Sequence, residues 1–215
     1  MFKTKMILRY VIFLLGLLVT GLGIALSTKM GLGTTPISVI PLVVSGGFPI
    51  SFGMVANIMS LTFVLIEFLV QRKGFNKDLL MQILIAPFFG YFIDIGFAVF
   101  SNLVPGSFAM QMVLLMVGCM SMALGIYMQI VADIIINPIE GLVMAIAHRF
   151  KTKFGNVKII VDVAVMLVGV MISLMIFGEV RGVGIATVVV ALSTGFFTKV
   201  FKKMFDQVGV DWLYE

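Results

Sequence analysis

The sequence predicts an all-α membrane protein in which six transmembrane helices and two short re-entrant half-helices form a 3+3 inverted repeat. Three observations support this prediction. The chain is 61% hydrophobic and 12% charged, its long apolar runs recur in two similar halves, and each half holds one short apolar run behind a polar residue and a proline. A soluble domain is about half apolar and about a quarter charged. With a mean hydropathy of +1.19, the chain cannot cover a water-facing surface, so the lipid bilayer is its expected partner.

Long apolar runs account for most of the chain. A spanning helix needs about 20 apolar residues, and six runs reach roughly that length, at residues 7–28, 52–71, 79–101, 108–130, 157–177 and 182–199. Two further runs, 36–46 and 138–148, are about half as long and would cross only about half of the hydrocarbon core. Residues 1–215 are therefore expected to form a single transmembrane domain.

The two halves of the chain resemble each other. GIALSTKMGLGTTPIS aligns with GIYMQIVADIIINPIE at an offset of 102 residues, and the same offset places Phe52-Gly53 on Phe154-Gly155. Self-similarity at a fixed spacing indicates an internal repeat. We place repeat 1 at about residues 7–101 and repeat 2 at about residues 108–203.

Basic residues predict the topology of these segments. If both short helices return to the side they came from, 13 of the 15 Lys and Arg residues share one face, whereas crossing short helices would split them 10 to 5. The positive-inside rule favours the first arrangement and places both termini in the cytoplasm. Each half then crosses the membrane an odd number of times, so the second half is inverted, as in many transporters with midplane sites.

Each short run begins with a polar residue and a proline. Pro36 and Pro138 suit the first turn of a helix, and Thr35 and Asn137 before them are good N-cap residues. Two helix N-termini would then approach each other inside the membrane, each with a partial positive charge and unpaired N–H groups. This arrangement predicts a site for a small polar ligand, anionic or zwitterionic.

Polar residues within or beside the apolar runs are the candidates for that site. The predicted substrate-binding residues are Thr34, Thr35, Ser38, Asn57, Asp94, Asp133, Asn137 and Glu140, and the predicted turn residues are Gly31, Gly33, Pro36 and Pro138. Structural roles remain open for the three acids. Glu140 fits a capping box behind Asn137, Asp133 fits the cytoplasmic water boundary, and Asp94 fits a hydrogen bond inside the bundle.

Motifs of other function classes do not occur in the sequence. There is no nucleophile elbow, phosphate loop or metal-ligand spacing in the 215 residues. The GVGIAT and GLGIAL segments are interpreted as helix-packing motifs, because no strand precedes them. We therefore expect no enzymatic activity, no cofactor, no bound metal and no nucleic-acid partner.

The GIALSTKMGLGTTPISVI segment, its echo in the second half and LIAPFFGYFID resemble the YczE/YyaS/YitT-type bacterial integral membrane proteins, especially the YczE-like branch. The resemblance covers nearly the whole length, and GLGTTP is its most specific part. It implies a location in the plasma (inner) membrane and no particular substrate. This chain has ADIIINP where such proteins often repeat a Gly-x-Gly turn.

The leading hypothesis is a transporter or facilitator of a small polar metabolite. A passive channel with aquaporin-like half-helices is the first alternative, and a non-transporting scaffold or accessory protein is the second. The substrate, the transport direction, the coupling ion and a homo-oligomeric state are left open by the sequence.

Overall fold

Eight α-helices make up the described part of the chain. The computed structural model describes residues 2–71 and 77–206, and no strand occurs among them. The helices are α1 (Phe2–Lys29), α2 (Val39–Gly47), α3 (Phe52–Gln71), α4 (Lys77–Val99), α5 (Phe108–Ala132), α6 (Pro138–Arg149), α7 (Phe154–Phe177) and α8 (Ile185–Asp206). A short 3₁₀ turn, Pro36–Ser38, leads into α2.

Six of the eight helices are long and apolar enough to cross a membrane, namely α1, α3, α4, α5, α7 and α8. The predicted class, a multi-pass helical membrane protein, is therefore confirmed. The predicted spans agree with the observed helices to within a few residues at most ends, and α3 has the predicted bounds. Arg72 and Lys73, which contribute to the charge argument, lie outside the described residues.

Two compact units are built from these helices. The first unit contains the described parts of residues 1–35, 92–134 and 184–215, which bring together α1, α5, α8 and the end of α4. The second unit contains residues 36–91 and 135–183, which include α2, α3, α6, α7 and most of α4. Each unit thus takes helices from both of the predicted repeats.

In the first unit, α1 and α5 pack side by side along most of their length. Hydrogen bonds join the Arg9 side chain to the Ala132 carbonyl and the Gln111 side chain to the Met30 carbonyl. Between these ends, Gly16 faces Gly125 and Gly23 faces Gly118. The residue numbers rise in α1 as they fall in α5, so the two helices are antiparallel. The paired glycines let the two backbones approach closely, as small residues do in membrane helices.

The same glycines relate the two halves of the chain. Adding the predicted offset of 102 to Gly16 and Gly23 gives Gly118 and Gly125. At this offset Gly16 is equivalent to Gly118, and Gly125 is equivalent to Gly23. The contact between Gly16 and Gly125 therefore has a counterpart in the contact between Gly118 and Gly23.

The second unit shows the same correspondence between equivalent helices. Helix α3 packs on α6, and α2 packs on α7. At the centre of the first contact Glu67 covers Gly141, and at the centre of the second Val39 covers Gly169. The offset of 102 carries Glu67 to Gly169 and Val39 to Gly141. One of these two equivalent positions is therefore acidic and the other is apolar.

The two proline turns start helices where the sequence predicts them. Pro138 is in the first turn of α6 behind Asn137, and Pro36 begins the 3₁₀ turn. Gly31 and Gly33 have φ angles of 71° and 113°, which glycine adopts without strain. Asn137 lies at the N-cap position of α6, as predicted, but its side chain makes no capping hydrogen bond, and the N-cap residue of α2 is Ser38 instead of the predicted Thr35.

Candidate binding cavity

The residues that follow the two prolines lie against one apolar cluster. Phe63, Ile139 and Leu142 form its buried centre, and Ile37 is among the partly buried residues that pack on it. Ile37 and Ile139 are equivalent at the offset of 102. The two helix starts thus approach one another, but apolar side chains occupy the place that they share.

A buried carboxylate lies one helical turn along α3 from Phe63. The side chain of Glu67 points to the same face of α3, and the residue is 4% exposed. Its Oε1 accepts a hydrogen bond of 2.7 Å from the Gln71 side chain. Its Oε2 is buried and receives no hydrogen bond from any residue that the structure describes. Burying a carboxylate in this way is costly unless it is paired, and the described residues supply no hydrogen bond to this oxygen.

A second unpaired acceptor comes from α4. Gln82 is 2% exposed, and its Oε1 is buried without a hydrogen-bond partner in the described part of the chain. A Cβ atom added to Gly141 would clash with Oε2 of Glu67 and would lie 2.8 Å from Nε2 of Gln82. The side chains of Glu67 and Gln82 interact with each other, and both occupy the space that the missing side chain of Gly141 leaves open.

Glu67 and Gln82 line an open cavity of about 530 Å³. The other residues that line it are Val70, Gln71, Asp78, Ile136, Gly141, Met144, Ala145, His148 and Arg149. Asp78, His148 and Arg149 are exposed, whereas Glu67 and Gln82 are buried. Asp78, His148 and Arg149 thus line the solvent-accessible part of the cavity, and the side chains of Glu67 and Gln82 line its buried part.

Four predicted binding residues lie in the first unit and outside this cavity. Thr34 is completely buried, and its hydroxyl is 2.7 Å from the hydroxyl of Thr28. Asp133 ends α5 in the left-handed conformation with φ 45°, and its exposed carboxylate is 3.6 Å from Arg9. Thr35 and Asp94 are partly buried, and both make polar contacts.

The other four predicted binding residues lie in the second unit, but none of them lines the cavity. Asn57 donates to the Pro87 carbonyl and accepts from the Gly90 N–H, both on α4. Ser38 is buried, and Asn137 is partly buried. Glu140 precedes the cavity residue Gly141 on α6.

The environment of Glu140 combines burial with charges on α7. Its carboxyl is partly buried and interacts electrostatically with Lys158 and Asp162. Lys158 and Asp162 are also joined by a 2.9 Å salt bridge, as the i,i+4 spacing predicts. Glu140 therefore lies in a charged neighbourhood of its own, and this neighbourhood does not overlap the lining of the cavity.

Glu67 and Gln82 are not among the binding residues that the sequence predicts. In the sequence, the closeness of Glu67 to Arg72 and Lys73 favours an ion pair at the end of the second span, and both of these basic residues lie outside the described residues. The available signal was the helical position of Glu67, four residues after Phe63 on a face that otherwise packs against other helices. The place of Gln82 beside it depends on the packing of α4 and α6 and has no signature in the sequence.

Comparison with known proteins identifies a family but no characterised relative. The model of the Family of unknown function (DUF6198) matches residues 7–203. No curated protein and no solved structure matches the chain.

Proposed function

The chain belongs to this DUF6198 family, and we propose that it is a transporter or facilitator of a small polar metabolite. The observation that carries the proposal is the cavity, in which two buried oxygens of membrane helices, Glu67 Oε2 and Gln82 Oε1, lack partners among the described residues. Ionisable groups in membrane helices are costly and commonly mark pathways for substrates or ions. The proposal includes no enzymatic step and no cofactor.

Contacts in the first unit support the proposed re-entrant topology in the first half of the chain. The Lys29 side chain donates to the Ser101 carbonyl, so the end of α1 and residue 101 lie on one side of the bilayer. The intervening chain contains the long helices α3 and α4, which together cross twice. These contacts therefore support an arrangement in which the short helix α2 returns to the side from which it came.

The second half supports the same topology. Arg9 binds the carbonyl of Ala132, so the end of α5 lies on the side where α1 begins. The Ala186 N–H donates to the Leu32 carbonyl at 2.9 Å, so α8 begins on the side where α1 ends. One crossing separates these two points, and the long helix α7 provides it. These contacts therefore support a re-entrant α6 as well.

Equivalent contacts in the two halves support the proposed 3+3 inverted repeat. Helix α5, the counterpart of α1, runs antiparallel to it, as an inverted repeat requires. Transporters built in this way place broken or short helices at the substrate site. A location in the plasma (inner) membrane with both termini cytoplasmic, and a relationship to the YczE-like proteins, are parts of the same proposal.

The apolar cluster around Phe63 favours a carrier over a passive channel. It lies where the two short helices begin, one helical turn from Glu67. A water-filled channel would need polar or open space at this point. In a carrier, by contrast, an apolar layer beside the site closes the pathway to one side of the membrane while the pathway to the other side is open. The sites predicted at the two turns would be reached when this layer separates.

A flux assay with purified protein in proteoliposomes tests the proposed function. Alanine, ethanolamine, putrescine, succinate and glycerol serve as labelled probes at neutral pH. We expect at least one probe to enter faster than into protein-free vesicles, and Glu67→Gln to slow that entry at least tenfold. Asp162→Asn, which alters a carboxylate outside the cavity, should leave the rate unchanged.

Two results of this assay would contradict the proposal. If every probe entered at the rate of protein-free vesicles, the scaffold alternative would replace transport. If the probe moved at an undiminished rate through Glu67→Gln protein, the cavity would have no part in the function. A rate that rises linearly with probe concentration, without saturation, would favour the channel over the carrier.

A further inference from the structure

The chemistry of the unpaired groups in the cavity restricts what it can bind. Glu67 Oε2 and Gln82 Oε1 are both hydrogen-bond acceptors. A ligand that satisfies both must therefore carry at least two hydrogen-bond donors. An anion has acceptors only, and it would also meet the carboxylates of Glu67 and Asp78 in the same cavity. The buried part of the cavity is thus unsuited to an anionic group.

A bare metal cation also fits poorly. Hard cations such as Mg²⁺ and Ca²⁺ take about six or more oxygen ligands. In the described residues no group of three or more His, Cys, Asp or Glu side chains is arranged to hold a metal ion. The buried part of the cavity offers one carboxylate oxygen and one amide oxygen, which is too few for such an ion.

A protonated primary amine meets both requirements. Its ammonium group carries three N–H donors and a positive charge, as the side chain of Lys does. One donor can reach Glu67 Oε2 and another Gln82 Oε1, while the charge compensates the buried carboxylate. We infer that the cavity between α3, α4 and α6 is a binding site for a protonated primary amine, held by Glu67 and Gln82. This inference rests on the proposed function, because it names the substrate class of that site.

The rest of the cavity indicates what the amine is attached to. Arg149 and His148 line it at the opposite end of α6 from Gly141. Eight residues of α-helix span about 12 Å. A ligand with an amine at one end has space for a polar or anionic group near Arg149. Both a soluble amine and the headgroup of phosphatidylethanolamine, in which the amine is joined to a phosphate, have this chemistry.

Binding of ethanolamine and choline to the purified full-length protein tests the inference. The two probes have the same charge and the same hydroxyethyl group, but the nitrogen of choline carries three methyl groups in place of the N–H donors. In nanodiscs of phosphatidylcholine and phosphatidylglycerol, calorimetry should show ethanolamine binding at least tenfold more tightly than choline. Equal affinity for the two, or no binding of ethanolamine up to 100 mM, would overturn the inference.

Three variants link the binding to the named residues. Glu67→Gln and Gln82→Leu should each weaken ethanolamine binding at least tenfold, and Asp162→Asn should leave it unchanged. Circular dichroism melting identifies a variant that fails to fold. If Gln82→Leu does not fold, Glu67→Gln alone tests the assignment of the amine site, because this substitution keeps the shape of the side chain. Undiminished binding by folded Glu67→Gln protein would contradict the assignment.

A second arm distinguishes the two sources of the amine. When phosphatidylethanolamine replaces part of the phosphatidylcholine, a headgroup ligand would compete and weaken ethanolamine binding to the parent at least fivefold. An unchanged affinity would identify a soluble amine as the ligand. Both results retain the amine site. Ethanolamine binding without flux in proteoliposomes would retain this inference and remove the proposed function, whereas flux of another probe without amine binding would do the reverse.

Discussion

Glu67 lies directly over Gly141, so that a β-carbon at residue 141 would occupy the space of its carboxylate oxygen. The equivalent pair in the other half of the chain is Val39 over Gly169, where an added β-carbon would lie 2.7 Å from Val39 Cγ1. The two contacts share their geometry and differ in chemistry. The offset of 102 residues therefore relates two gaps over glycines, and of these two only the gap at Gly141 contains a carboxylate.

This pair of glycines provides a matched test of the cavity. In Gly141→Ala the new methyl group would displace the flexible ends of Glu67 and Gln82, so we expect a tenfold or greater loss of ethanolamine binding with little change in melting temperature. In Gly169→Ala the methyl group meets the stiff side chain of Val39 and the nearby backbone of Ile40. That variant should lose about 1–3 kcal/mol of stability by overpacking and keep its affinity. Equal affinities in the two variants would contradict the assignment of the cavity.

The glycine contacts between α1 and α5 predict a large effect on stability. A Cβ atom at Gly23 would lie 2.7 Å from the Gly118 carbonyl oxygen and 2.7 Å from the Met122 nitrogen. Backbone atoms cannot move aside as side chains can, so Gly23→Ala should cost about 1–3 kcal/mol. Reversible denaturation in mixed micelles measures this cost.

The control for that substitution is a glycine with free space around it. A Cβ atom at Gly195 in α8 would meet no described atom within 4 Å. Gly195→Ala should therefore be neutral or should stabilise the helix by up to about 1 kcal/mol, since alanine is the better helix former. Equal losses of stability in Gly23→Ala and Gly195→Ala would show that packing of α1 against α5 does not cause the loss in Gly23→Ala.

Asn57 is predicted to be needed for stability because it joins two helices. It bonds the Pro87 carbonyl at 3.3 Å and the Gly90 N–H at 3.0 Å, and Pro87 interrupts the backbone bonding of α4 at this point. Asn57→Ala should lower the free energy of unfolding by about 1–3 kcal/mol. Thr62→Val, an exposed hydroxyl on the same helix, serves as the control. A stable Asn57→Ala protein with weakened ligand binding would instead support the predicted substrate contact.

Asn137 and Ser107 allow the two kinds of helix start to be compared. The Ser107 side chain accepts a hydrogen bond of 3.2 Å from the Met110 N–H at the start of α5, whereas Asn137 makes no such bond at α6. Ser107→Ala should cost about 0.5–2 kcal/mol, and Asn137→Ala should cost less than about 0.5 kcal/mol. Loss of flux in stable Asn137→Ala protein would give this residue the substrate role that the sequence predicts.

Cysteine labelling in intact cells tests the proposed topology. In a Cys119→Ala background, an impermeant maleimide should label Phe48→Cys and Ser101→Cys from outside. Lys77→Cys and Thr152→Cys should react only after the cells are permeabilised, which also shows that all four sites are reactive. Labelling of Lys77→Cys in intact cells would require α2 to cross the membrane and would rule out the re-entrant arrangement.

Local features of the sequence were sufficient to predict the helices and most of their ends to within a few residues. The six spans follow from the length of apolar runs, because in a bilayer backbone polar groups must bond within the segment. The short helices follow from Pro36 and Pro138, and the turn before α2 follows from Gly31 and Gly33. Each of these predictions depends on residues close together in the chain, so a single sequence contains the information.

The cavity depends on contacts between residues far apart in the chain, and only the tertiary structure decided it. In the sequence, Glu67 beside Arg72 and Lys73 has the pattern of a surface ion pair. Its burial results from α6 packing across it at Gly141 and from α4 bringing Gln82 to the same gap. Likewise, the meeting point of the two short helices became apolar because Phe63 of a third helix packs between them. Which side chains share a gap between helices depends on how those helices are rotated and spaced, and this is set by the summed packing of all of them.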